Sequence, residues 1–258
     1  MMKFQTITLA LLTLPLLVTA CATSPTGRSQ VLLVSESQMA GMGEQAFNQL
    51  KQENSVSTDQ SLTRYVNCVS NAVLAEMNTG MDWQVVLFEG DAVNAFAVPG
   101  GNIGVFRGLL NVAENQHQLA TVIGHEVAHV TARHSAARVS TQLATQMGVS
   151  VLAQTTGMDP GLIGMGADLL LTLPYSRADE TEADRLGLDY MARAGFDPRE
   201  SVTLWHNMAR ASGGGPPELL STHPAPDSRI RELQQRMSAA VQTFEAAQAR
   251  GQRPACQP

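Results

Sequence analysis

His125, Glu126 and His129 are spaced for metal chemistry. Imidazoles at positions i and i+4 of a helix share one face, and a Glu directly after the first lies within reach of a water held there. Neutral imidazole binds Zn²⁺ well, the ion lowers the pKa of its bound water toward ~7, and a carboxylate takes the proton as that water attacks a carbonyl. Hydrolytic zinc sites use three protein ligands and leave a fourth position open. Two histidines are therefore an incomplete set.

The third ligand is not adjacent. His134 comes one residue too early for a metzincin-type third histidine, and Ala132 stands where a glycine would be needed. Further on, the Ser176 to Asp184 segment reads as a helix start, with Ser176 as cap and Gly195 as stop. Glu180 and Asp184 share a face of that helix; one can bind zinc while the other orients a ligand imidazole. Acidic residues also suit a helix N-terminus on electrostatic grounds alone, so the residue types leave both readings open.

Together, the His125 motif, the Ser176 to Asp184 segment and Ser221-Thr222-His223-Pro224 resemble the zinc endopeptidases that include the prenyl-protein CaaX proteases, HtpX-type proteases and mitochondrial Oma-type proteases. The chain is more closely similar to bacterial lipoprotein members of the LoiP and YcaL kind. The resemblance implies a gluzincin-like HExxH zincin holding one Zn²⁺, with Glu180 as third ligand, Asp184 and Arg229 supporting it, and Glu182 facing solvent. It also implies that Asn94, Ala95, Phe96 and Ala97 run along the cleft and pair with bound peptide, ahead of a Pro99-Gly100-Gly101 turn. His223 is expected beside the zinc as a second electrophile, donating a hydrogen bond as charge develops on the scissile carbonyl; a turn-shaping role for the His-Pro pair is the alternative.

The elements that must position these groups are legible in outline. Asn115 and Gln118 suggest a capping box opening the motif helix, and Leu119, Val122, Ile123, Val127 and Val130 supply its apolar stripe. Helical patterns cover residues 37–51 and 59–77. Short β-rich stretches at 83–88, 94–98 and 103–106 predict a small antiparallel sheet beside that helix. Apolar runs within 141–173 are interrupted by Gly, Asp168 and Pro160, which argues for a hydrophobic hairpin or lid rather than a membrane span. Asp197-Pro198-Arg199-Glu200 starts a helix, residues 212–217 form a flexible loop, and Asp227 to Ala249 form a long final helix. The expected class is α+β, mainly helical, without internal repeats.

The N-terminus reads as a lipoprotein signal over residues 1–20. Lys3 precedes an apolar run, and Val18-Thr19-Ala20-Cys21 resembles a lipobox; an ordinary secretory signal with a stray Cys is the alternative. Acyl chains on Cys21 would hold a single domain, residues 21–258 with 21–30 as tether and linker, on a membrane. Ala22 rather than Asp suits outer-membrane sorting. Removing Cys21 leaves Cys68 and Cys256, which in an oxidising compartment are expected to join a helix to the C-terminal tail, although two thiols remain possible.

Seventeen basic against 23 acidic residues give a net charge of −6 without a basic cluster, which excludes nucleic acid as an expected partner. The reading that follows is a zinc metalloendopeptidase, lipid-anchored at the outer membrane and facing the periplasm; the resemblance and that location together imply misfolded or unassembled envelope proteins as substrates, with room for an assembly-machinery partner. The alternative is a zinc-dependent chaperone or assembly factor for outer-membrane proteins that cuts rarely. A deformylase would need a Cys ligand in a local motif that the sequence lacks.

Overall fold

Ser24-Pro25-Thr26-Gly27 has the residues of a β-turn, with Pro second and Gly fourth, and the turn closes through Gly27 N–H donating to Ser24 O at 2.9 Å. On either side lie β1 (Cys21–Thr23) and β2 (Ser29–Val31), paired antiparallel in the computed structural model, which describes residues 21–77, 80–156, 170, 174–211, 218–223 and 227–258. The expected tether and linker is thus a folded hairpin. The leader (1–20), part of the expected lid (157–169 and 171–173), the 212–217 loop and Pro224 lie outside the described residues.

Helix starts follow their caps. Ser35 caps α1 (Glu36–Glu53) in a capping box with Gln38, and Asp59 caps α2 (Gln60–Ala75) by accepting from Ser61 and Leu62 N–H. Three strands follow: β3 (Gln84–Phe88), β4 (Ala95–Val98) and β5 (Asn102–Phe106). Their order is β3-β5-β4. The sheet is mixed, which corrects the expectation of a wholly antiparallel one: β4 and β5 pair antiparallel through the Pro99-Gly100-Gly101 turn, but β5 pairs parallel with β3. Glycine at positions 100 and 101 meets φ values of 94° and 87° that other residues resist.

Strand alternation divides β4 between two cores. Ala95 and Ala97 face the main core, whereas Phe96 joins Phe47, Phe88 and Phe106 on the other side of the sheet.

Past a 3₁₀ turn (Arg107–Asn111) comes α3 (Gln116–Thr131), which carries the motif and packs against β4. Asn115 caps it, but Gln118 does not complete a capping box; its Oε1 accepts from Glu114 N–H and its Nε2 donates to Glu200. Then follow α4 (His134–Thr156), α5 (Arg177–Arg193, with Ser176 and Asp179 forming its capping box), α6 (Glu200–Ala211), the short α7 (Glu218–Thr222) and α8 (Asp227–Ala249). Cys68 of α2 is joined by a disulfide to Cys256 of the C-terminal tail.

One crossing fixes the site. Helices α3 and α5 meet at Gly124 and Gly187, where a Cβ on Gly187 would stand 2.7 Å from the His125 backbone nitrogen. Only hydrogen at these positions lets the two backbones come that close, and it brings the acidic first turns of α5 to the motif histidines. Among the described residues no helix is long and apolar enough to cross a membrane.

Candidate metal centre

His125, His129, Glu180 and His223, all buried, each offer one ligand atom, and these atoms lie within 4.8 Å of one another. His125 and His129 come from one face of α3, Glu180 from the first turn of α5, and His223 from the end of α7, where its N–H donates to Leu219 O at 2.8 Å. His125 Nε2 is 3.1 Å from His129 Nε2 and 3.2 Å from His223 Nδ1. Glu180 Oε1 is 3.0 Å from His223 Nδ1 and 3.5 Å from His129 Nε2, and Glu180 Oε2 is 3.4 Å from His125 Nε2.

These separations test for a metal. Donors about 2.0–2.1 Å from a tetrahedral zinc stand about 3.3 Å apart. The observed 3.0–3.5 Å brackets that value. Three imidazoles and a carboxylate converging in a buried site need positive charge among them, which protons supply in part and a cation supplies fully, so the donor set fits Zn²⁺. Glu126 adds a second sign: its Oε1 is buried without a hydrogen bond among the described residues, 3.5 Å from His223 Nε2.

Outside the donors, His125 Nδ1 lies 3.0 Å from Asp184 Oδ1, and Arg229 grips Asp184 with Nε and Nη2, each at 2.6 Å. Arg229 Nη1 also stands 2.7 Å from Glu180 Oε2, and its guanidinium covers the Trp205 ring. Arg229 is therefore the common support of one carboxylate in the donor set and one behind it. Electrostatics separates the acids. Burial pushes the Glu126 carboxyl up. Burial also opposes charge on Glu180 and Asp184, but His125 and His223 around the first, and Arg229 beside the second, hold both below the usual carboxylate range. For His125, burial is outweighed by Asp184 and Glu180, and its pKa rises to about 9; burial and the neighbouring imidazoles drive His129 the other way.

Two placements differ from the sequence expectations. His223 stands among the donors themselves, making four where three and an open position were expected. Glu182 does not face solvent: it is 3% exposed and accepts from Thr26 Oγ1 at 2.6 Å and Arg28 Nε at 2.9 Å, and lies 3.3 Å from His134 Nε2. It stays outside the donor cluster. Sequence reasoning missed two neighbours of His129. His134 Nδ1 is 2.9 Å from His129 Nδ1, and the Tyr175 ring stacks on His129 with centroids 3.9 Å apart, its hydroxyl 2.9 Å from Ser135 Oγ. A His five residues after His129 was the available signal for the first; nothing local signalled the second. Of the expected cleft segment, β4 is an outer strand, Ala97 lends a backbone hydrogen bond to the Glu126 carboxylate, and Phe96 turns away into the aromatic cluster. Cys21 is exposed at the start of β1.

Residues 57–237 match peptidase family M48. The chain is 38% identical over 205 residues to the mitochondrial metalloendopeptidase OMA1 of Arabidopsis thaliana, covering 78% of this chain and 42% of that relative. It is 33% identical over 223 residues to the β-barrel assembly-enhancing protease of Yersinia pestis, covering 81% and 46%, and 32% identical over 224 residues to that of Escherichia coli K12, with the same coverage. The chain thus spans less than half the length of these curated relatives.

Proposed function

The chain belongs to peptidase family M48, and from that premise we propose that it is a zinc-dependent endopeptidase of the bacterial envelope that cleaves misfolded or unassembled envelope proteins. The observation that carries the reading is the buried Glu126 carboxylate set against the clustered donors His125, His129, Glu180 and His223, beside an outer strand. Zinc, when bound by His125, His129 and Glu180, would polarise the scissile carbonyl and acidify a water. The chain's own groups do the rest. Glu126 accepts the proton of the attacking water and returns it to the leaving amine, a role that its upward-shifted carboxyl suits. Asp184, clamped by Arg229, fixes the His125 ring. The backbone from Asn94 into β4, as far as Ala97, offers an edge along which an extended substrate can pair. His223, its Nε2 3.5 Å from Glu126 Oε1, would donate a hydrogen bond to the charge developing on the carbonyl oxygen.

Several observations support the envelope address and the LoiP- and YcaL-like subtype. They are the lipobox ending at Cys21, a disulfide suited to an oxidising compartment, and relatives named for β-barrel assembly. The closed four-donor set favours a second reading, in which the protein binds client proteins and rarely cuts. Incubation of zinc-loaded protein with an unfolded outer-membrane protein decides between them. Glu126→Gln is expected to retain zinc and lose hydrolysis by about a hundredfold or more; equal turnover in that variant removes the endopeptidase assignment. A ten- to thousandfold loss in His223→Phe, with zinc retained, marks the imidazole as a catalytic donor, and a gain marks it as a stopper.

A further inference from the structure

The break between α3 and α4 is made by an unusual residue. Arg133 has φ 57°, a left-handed conformation that costs a side-chain-bearing residue about 1 kcal/mol or more. In an unbroken helix residue 134 would lie about 140° around the axis from residue 129. The left-handed step instead folds His134 back, so that its Nδ1 meets His129 Nδ1 at 2.9 Å in a fully buried contact.

The contact runs in one direction. With His129 Nε2 turned to the donor cluster, the proton of that ring is on Nδ1 and is donated to His134 Nδ1; the His134 proton is then on Nε2, 3.3 Å from Glu182 Oε2. Glu182 is in turn held by Thr26 Oγ1 and Arg28 Nε, while Arg28 Nη2 also binds Asp179. The hairpin covers the break as well, for Gln30 Nε2 donates to Ala132 O at 2.9 Å. His125 is oriented by a carboxylate directly; His129 reaches one through a second imidazole.

We propose that His134 and Glu182 are positioning residues for the metal centre, holding the His129 ring through a relay that is completed by Thr26 and Arg28 of the N-terminal hairpin. The proposal rests on the reading of His129 as a zinc ligand and extends the centre to the segment beginning at Cys21. Zinc affinity therefore depends on whether that hairpin is seated.

Chelator competition on the full chain, with zinc as the probe, tests this. His134→Phe and Glu182→Gln are expected to weaken zinc binding about ten- to a hundredfold, with one ion still bound at saturation. The double variant Thr26→Val, Arg28→Gln is expected to shift affinity in the same direction by a smaller factor. Nitrogen-15 spectra of the wild-type imidazoles guard against variants that fail to fold: His134 is expected neutral, with its proton on Nε2 and Nδ1 accepting. Wild-type affinity in both His134→Phe and Glu182→Gln, or a His134 proton on Nδ1, overturns the relay while leaving the metal reading intact. Failure of wild-type protein to take up zinc, or equal affinity in His129→Ala, removes the metal reading and the relay together.

Discussion

Glu126 and Glu180 are buried carboxylates on either side of His223, yet their surroundings pull their protonation apart: burial raises the first, and two imidazoles hold the second ionised. A permanently charged group suits a ligand and an upward-shifted one suits a proton carrier. Glu180→Ala is therefore expected to lose zinc and activity together, measured by metal analysis beside turnover, whereas a variant that keeps full zinc would shift the third-ligand role elsewhere. Much of this constellation is legible in the chain, because helical spacing alone puts His125 and His129 on one face and Glu180 and Asp184 on another. The burial of Glu182 is not legible. It depends on the hairpin's Thr26 and Arg28, more than 150 residues away, as partners.

At the scale of elements, helix starts at Ser35, Asp59, Asn115 and Ser176 follow from local side-chain acceptors and can be read directly. The parallel pairing of β3 with β5 and the left-handed Arg133 cannot, because long-range register and a strained backbone leave no mark in a short window. The Gly124–Gly187 crossing makes a sharp prediction. Gly187→Ala places a methyl against the His125 backbone, so the helices must part; a stability loss of about 1–3 kcal/mol by denaturant unfolding, with weaker zinc binding, is expected. Unchanged stability would mean that the crossing has slack.

The joint between hairpin and α5 adds a pH dependence. Burial alone would raise Glu182, but bonds from Ser24, Thr26 and His134 lower it from 4.5 to about 2. Because the folded value is the lower one, this carboxylate's stabilisation is full above 4.5 and is lost as pH falls toward about 2. The melting-temperature gap between wild type and Glu182→Gln is expected to narrow over that window; a constant gap would deny the linkage.

Across the whole molecule, the Cys68–Cys256 bond spans 188 residues and closes the C-terminal tail onto α2. Gln116, at the start of the motif helix, clasps the same tail, donating to Pro254 O and accepting from Cys256 N–H. Opening a loop of this length is expected to cost about 2–5 kcal/mol, so Cys256→Ser should unfold at lower denaturant and loosen the N-terminal end of α3. An unchanged midpoint would mean that packing alone holds the tail.

The same bond has a consequence wherever the backbone is cut. Every proposed ligand, from His125 to His223, lies between the two cysteines. A single backbone cut anywhere in that span, self-inflicted or not, produces two ends and no separate fragments. The nicked chain keeps its mass apart from one added water, migrates as one species until a reductant is supplied, and retains all of its metal donors on one covalent body. Damage that would disperse an uncrosslinked enzyme becomes a local opening here, and only reduction followed by unfolding turns it into dissociation.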